Sequence, residues 1–81
     1  MRISIDTNDP GFAQLGLLLD SKPKRIAALL DGLKVSQLIT ADEEMGFVKF
    51  YVVDARGGKV KDEAGNYKTH VAYGDVKIEI N

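Results

Sequence analysis

Side chains that could take part in catalysis are few in this sequence, and their spacing matches no catalytic or metal-binding pattern. His70 is the single histidine, and the chain contains no cysteine. A histidine with neither a cysteine nor a second histidine does not complete a common zinc site or indicate a nucleophile–histidine triad. We therefore expect no catalytic role for His70, no cofactor and no enzyme activity.

Three consecutive carboxylates, Asp42, Glu43 and Glu44, form the densest acidic group. Side chains of consecutive residues point in different directions, and the ligand spacing of a calcium-binding loop is missing. A solvated turn explains this group with fewer assumptions than a cation site does.

Two similar segments, 54–58 and 62–66, each begin with an aspartate and contain glycine near their ends. They lack the alternating ligands and the twelfth-position glutamate of an EF-hand loop. Neither Gly57-Gly58 nor Gly65 is followed by the lysine–serine or lysine–threonine pair of a phosphate loop. In a turn, the aspartate accepts backbone hydrogen bonds and the glycine adopts a positive φ. We predict two turns in a hairpin arm, separated by the short segment 59–61.

The basic residues Lys22, Lys24 and Arg25 could contact phosphate or an acidic protein surface, but we interpret them as the solvated start of a strand. The formal net charge of the whole chain is −1 at pH 7, which supplies no attraction toward nucleic acid or an anionic membrane. The apolar run at residues 15–19, interrupted by Gly16, is far shorter than the roughly 20 residues of a membrane-spanning helix. We expect neither nucleic acid nor a membrane as a partner.

Four aromatic residues are the best candidates for a protein-binding surface: Phe47, Tyr51, Tyr67 and Tyr73. Three of them can lie on solvent-facing sides of neighbouring strands, as a cross-strand ladder or as interface anchors. Packing in the core is the alternative. Stacking on single-stranded nucleic acid would use the same residue types, but the balanced charge does not favour it.

The elements that position these residues follow from the apolar pattern. In residues 1–6 apolar and polar side chains alternate, which predicts a strand. Apolar residues at helical spacing predict one short helix near residues 11–20. Residues 24–35 fit either a helix ended by Gly32 or a hairpin, and we favour the hairpin because Asp31-Gly32 is a strong turn signal.

Further strands are predicted in the second half of the chain, at residues 34–40, 47–53, 67–73 and 76–80. Residues 47–53 are apolar on nearly both sides, which is typical of a central strand or of a strand that forms part of an interface. The fold class is therefore mainly β: five or six antiparallel strands and one short helix near residues 11–20, forming a small barrel or sandwich.

The length of 81 residues fits one β-rich domain, residues 1–81. A domain this small has a stability on the order of 3–5 kcal/mol. Self-association would add buried surface and stability. We therefore expect a homo-oligomer, or docking onto a larger assembly.

Several segments resemble short uncharacterised proteins of tailed bacteriophages. They are Leu30-Asp31-Gly32, Ile39-Thr40-Ala41-Asp42-Glu43-Glu44-Met45-Gly46, Tyr51-Val52-Val53-Asp54 and Gly74-Asp75-Val76-Lys77-Ile78. The resemblance covers most of the chain after residue 24 and transfers no functional residues. It implies a phage origin and a virion or assembly component.

Two functional hypotheses follow. The first is a non-enzymatic head-decoration or minor virion protein that contacts itself or other virion proteins, with Phe47, Tyr51 and Tyr73 as anchors. The second is a small phage accessory protein that regulates or inhibits a host protein, presenting the acidic residues 42–44 to a basic site. Either protein would be made in the host cytoplasm, and the first would be incorporated into the virion.

Overall fold

The computed structural model describes residues 1–81 and contains seven β-strands and one α-helix. In chain order these are β1 (Arg2–Ser4), α1 (Gly11–Asp20), β2 (Ile26–Leu30), β3 (Leu33–Lys34), β4 (Leu38–Asp42), β5 (Phe47–Tyr51), β6 (Thr69–Tyr73) and β7 (Val76–Ile80). The mainly β fold class and the helix at residues 11–20 are confirmed. The chain has no helix with the length and apolar character that crossing a bilayer requires.

All strand pairs are antiparallel and belong to two sheets. One sheet has four strands in the order β1-β4-β5-β6, and the other has three in the order β3-β2-β7. The sheets form an open sandwich and not a closed barrel. Its core is a small cluster with residues from both sheets, namely Ile3, Ala41 and Val48 from the first and Ala28 and Val76 from the second.

The hairpin prediction for residues 24–35 is confirmed over the helix alternative. Leu29 pairs with Lys34 and Leu30 with Leu33, across a two-residue turn. Both turn residues have positive φ, 50° at Asp31 and 83° at Gly32, as in a type I′ turn. A type I′ turn matches the right-handed twist of the strands it joins. The Asp-Gly pair therefore favours a hairpin over a helix in this segment.

The single strand predicted at residues 34–40 is wrong. The chain instead forms β3 and β4, which belong to different sheets, and the fold therefore has seven strands where five or six were predicted. Gln37, in the connection between them, has a φ of 56°, which no strand residue adopts. The connection carries the chain from one layer of the sandwich to the other.

The helix α1 lies directly against β1. A Cβ atom at Gly11 would be 2.8 Å from the carbonyl carbon of Ile3, so only glycine allows this close approach. Leu15 and Leu18 pack on the core cluster, whereas Leu17 is largely exposed. Leu15 and Leu18, about one helical turn apart, are therefore the side chains with which α1 covers the core.

Candidate functional site

The pairing of β5 with β6 decides which side chains face outward. Val48 of β5 is fully buried in the core. Because successive side chains of a strand point to opposite faces, Phe47 and Tyr51 lie on the outer face of the four-stranded sheet. Tyr73 of β6 is the direct register partner of Phe47 and shares that face. β5 is an inner strand of its sheet, as predicted.

Phe47 and Tyr73 form the first aromatic pair on this face. Their ring centroids are 6.2 Å apart and the rings are tilted by 50°. The guanidinium carbon of Arg2 lies 5.1 Å from the centroid of the Phe47 ring. Phe47 is thus held between a cation and a neighbouring ring, while Tyr73 is 75% exposed.

Tyr51 and Tyr67 form the second pair, with centroids 5.9 Å apart in an edge-to-face arrangement. The ammonium nitrogen of Lys59 lies 4.6 Å from the centroid of Tyr51 and 5.4 Å from that of Tyr67. Lys61 lies 5.5 Å from the Tyr67 centroid. Two cations therefore restrain the Tyr67 ring, which comes from the segment before β6 and not from the strand itself.

That segment, residues 52–68, forms an arm between β5 and β6. Val52 donates its N–H to the carbonyl of Lys68 at 3.0 Å, Lys68 donates to Val60 at 2.8 Å, and Val60 donates back to Val52 at 3.0 Å. These three bonds close a ring between three short chain segments. Tyr51, Lys59 and Tyr67 occupy equivalent places, eight residues apart, which explains why their side chains meet.

The two turns of the arm have the same hydrogen bonds. Oδ1 of Asp54 accepts the N–H groups of residues 56 and 58 at 2.9 and 3.0 Å, and Oδ1 of Asp62 accepts those of residues 64 and 66 at 2.9 and 3.0 Å. Gly57 and Gly65 have φ values of 82° and 85°. The predicted turn chemistry is confirmed. The eight-residue repeat was missed, although its signal is visible as valine, aspartate and glycine at matching offsets in both halves.

The four predicted residues thus meet on one surface, which we call the aromatic face: Phe47, Tyr51, Tyr67 and Tyr73, together with the exposed Val71 of β6. None of the four aromatic residues belongs to the buried core, so core packing is not their role. The strand predicted at residues 67–73 is shorter than expected, because Tyr67 makes only an isolated bridge to Lys61.

An ion-pair network borders the aromatic face at β1. Arg2 donates from Nε to Asp9 Oδ1 at 2.9 Å and from Nη2 to Asp9 Oδ2 at 2.6 Å. It also donates from Nη1 to Asp42 Oδ2 at 3.2 Å. The hydrogen bonds from Arg2 lower the pKa of Asp9 to about 2, and the N–H of Met45 is the main cause that lowers the pKa of Asp42. The same pairing raises the pKa of Arg2.

The prediction of a solvated acidic turn is wrong for Asp42. Its side chain is buried, accepts hydrogen bonds from the backbone N–H groups of Glu44 and Met45, and pairs with Arg2. Glu43 accepts the backbone N–H of Ile78 at 2.9 Å and pairs with the N-terminal amine at 3.4 Å. Only Glu44 presents its carboxylate to solvent. The group therefore joins strands and is not an open acidic surface.

His70 lies beside an open groove between the two sheets and not in a catalytic cluster. Its ring contacts Phe50 edge-to-face at 5.5 Å. The groove has a volume of about 650 Å³, and most of its lining is apolar, with Leu30, Leu33 and Val35 on the side opposite Phe50. No group of three or more His, Cys, Asp or Glu side chains is placed to hold a metal ion.

The basic residues Lys22, Lys24 and Arg25 are exposed, and the backbone N–H of Lys24 donates to the carbonyl of Asn81 at 2.7 Å. Lys24 and Arg25 directly precede β2, and Lys22 lies between α1 and β2.

Comparison with protein-family models, curated proteins and solved structures finds no match to this chain. The function must therefore be inferred from the residues and their geometry.

Proposed function

We propose that this chain is a structural binding protein of a tailed-phage particle, either a head decoration or a minor virion component, and that it binds neighbouring virion proteins through the aromatic face. The observation that carries this proposal is the exposure of Tyr73, Tyr67 and Val71 together on one outer sheet face. The resemblance of several segments to short phage proteins supplies the phage context.

The aromatic residues suit a contact surface because each brings a large apolar area with few rotatable bonds. Burying an aromatic side chain removes on the order of 150–250 Å² from water. Phe47 contacts the Tyr73 ring, with centroids 6.2 Å apart, and this contact reduces the ordering that docking requires of Tyr73. Such preordered aromatic anchors are typical of the residues that dominate interface energies.

The arm adds rigidity to the same surface. Three backbone hydrogen bonds within the arm fix the backbone near Tyr67. The ammonium groups of Lys59 and Lys61 contact the aromatic ring of Tyr67. These lysines also place positive charge at the rim of the aromatic face, where charge influences the rate and specificity of docking more than its affinity.

Mass spectrometry of purified particles tests the proposal. Particles of a phage that encodes this sequence should contain the protein, and a copy number near that of the capsid protein would identify it as a decoration. Absence of the protein from particles, when it is present in infected cells, would contradict the proposal.

A pair of variants tests the aromatic face itself. We expect Tyr73→Ala to lower the amount of protein bound per particle by about tenfold or more, since loss of an anchor of at least about 1.4 kcal/mol changes binding tenfold. Leu17→Ala is the matched control, because Leu17 is also exposed but lies on the helix. Particle-bound protein is quantified after mixing with particles that lack it. An equal loss of particle binding in both variants, or no loss in either, would contradict a role of the aromatic face.

A further inference from the structure

We infer that two copies of this chain associate by antiparallel pairing of their β6 strands, about a twofold axis at Val71. This inference concerns how copies join each other, and it does not depend on incorporation into a virion.

The first observation is that β6 is an unprotected edge strand. It pairs only with β5, and four of its five residues are exposed. Its sequence, Thr-His-Val-Ala-Tyr, has no proline, no glycine and no lysine, arginine, aspartate or glutamate. Edge strands of soluble monomers usually carry charges, bulges or prolines that prevent pairing with another chain. None of these features is present in β6.

The other sheet edges are short or covered. β1 has three residues and is packed against α1, and β3 has only two. β7 carries the charged residues Lys77 and Glu79, and its Ile78 N–H is already bound by the Glu43 carboxylate. β6 is therefore the one edge that offers a long row of free backbone groups.

The hydrogen bonds of β6 determine which groups are free. The N–H of Val52 donates to Lys68, and the N–H of Gly74 donates to Gly46. Because bonded and non-bonded pairs alternate in an antiparallel ladder, His70 and Ala72 direct their backbone groups toward β5. The N–H and C=O groups at positions 69, 71 and 73 therefore point away from the sheet.

These free groups are arranged symmetrically about Val71, which is what a second identical copy requires. With Val71 opposite Val71 of the second copy, Thr69 of one copy faces Tyr73 of the other. Each opposed pair can then exchange two backbone hydrogen bonds, giving about six across the interface. An isologous contact of this kind closes on itself and stops at two copies.

The side chains and charges agree with this register. The two Val71 side chains meet on the outer face, and the two aromatic faces become one continuous surface on an eight-stranded sheet. Lys68 precedes β6 and Asp75 follows it, so antiparallel pairing places Lys68 of each copy opposite Gly74 of the other, one residue from Asp75. A parallel arrangement would instead place like charges together.

Analytical ultracentrifugation of the full chain over a wide concentration range tests the inference. We expect reversible association to a species of twice the monomer mass. Val71→Lys should raise the dissociation constant at least tenfold, because it places two like charges directly opposite each other. Leu17→Lys introduces the same charge at an exposed position on the helix and should leave association unchanged.

Hydrogen exchange in the unaltered protein provides a readout that needs no variant. At high concentration the amides of residues 69, 71 and 73 should become protected, whereas at low concentration they should exchange freely. The amides of His70 and Ala72 should be protected in both cases. A chain that stays monomeric throughout, or a dimer that leaves the three amides unprotected, would overturn the inference. So would equal weakening by both lysine variants.

Discussion

Arg2 makes three side-chain hydrogen bonds and one contact with an aromatic ring, and these contacts join three separate parts of the sequence. Its guanidinium binds Asp9 in the loop before the helix, binds Asp42 at the end of β4, and lies over the ring of Phe47. Because the planar guanidinium has five donors in a fixed geometry, it can make all of these contacts at once, which a lysine could not. Arg2 therefore connects the edge of the sheet to the aromatic face.

This network predicts how stability depends on pH. The pKa of Asp9 is about 2 in the folded chain, against about 3.9 in an unfolded chain. Between these values the unfolded state binds more protons, so stability is full above about pH 4 and is lost as the pH falls toward about 2. Asp42, whose pKa is also lowered, adds to the loss in the same direction. For Asp9 the effect is on the order of 2 kcal/mol.

Denaturant unfolding of Asp9→Asn between pH 7 and pH 2 measures this effect. The variant should be less stable than the unaltered chain at pH 7, and the difference should shrink toward zero near pH 2. Asp20→Asn is the control, because Asp20 is exposed and makes no side-chain contact, and its stability should follow that of the unaltered chain. A constant difference for Asp9→Asn at all pH values would show that the pairing with Arg2 is not its cause.

The aspartates also show which contacts are visible in the sequence. The roles of Asp54 and Asp62 are local, since each accepts N–H groups two and four residues later, and they were predicted from the turn pattern. Asp42 also accepts N–H groups two and three residues later, but its burial and its bond to Arg2, forty residues earlier, depend on the fold. No local pattern reveals such a partner, and the carboxylate was therefore predicted as solvated.

At the scale of elements, alanine substitutions at two glycines of the helix α1 should change stability in opposite directions. Gly16 has no atom within 4 Å of an added Cβ, whereas at Gly11 that atom would be 2.8 Å from the Ile3 carbonyl carbon. Gly16→Ala should stabilise the chain by about 0.5–1 kcal/mol through helix propensity. Gly11→Ala should destabilise it by about 1–3 kcal/mol through overpacking. Chemical denaturation measures the change in unfolding free energy of each variant. Changes of the same sign in both variants would contradict the placement of α1 against β1.

The elements differ in how far the sequence determines them. The hairpin at residues 26–34 depends on its own Asp31-Gly32 turn and was predicted. The crossing between β3 and β4 depends on a positive φ at Gln37, a residue type with no preference for it, and was missed. The bulge between Leu38 and Thr40, where β4 pairs with β5, has no turn residue that marks it in the sequence and was also missed. Residues that form a local turn can be recognised in the sequence. The point at which the chain passes from one sheet to the other depends on tertiary packing.

For the whole molecule, the sequence predicted a mainly β chain but left barrel and sandwich open, because strand order depends on long-range pairing. The structure also shows how little is buried: only 11 of 81 residues. Ala28 and Ala41 contribute small side chains to the core, while larger ones such as Leu17, Leu33 and Tyr73 remain exposed. Folding alone therefore leaves apolar surface that association can use.

A chain with so small a core should gain measurable stability from self-association. If two copies pair through β6, the thermal midpoint should rise by about 3–5 °C for each tenfold increase in concentration, since unfolding is then coupled to dissociation. In Val71→Lys the midpoint should be independent of concentration, because the lysine weakens the dimer. Its value should also be lower than that of the unaltered chain at low concentration, since lysine at position 71 lies opposite Lys49 within one copy. Calorimetry at several concentrations measures both. A concentration-independent midpoint in the unaltered chain would mean that the exposed β6 edge is stable without a second copy.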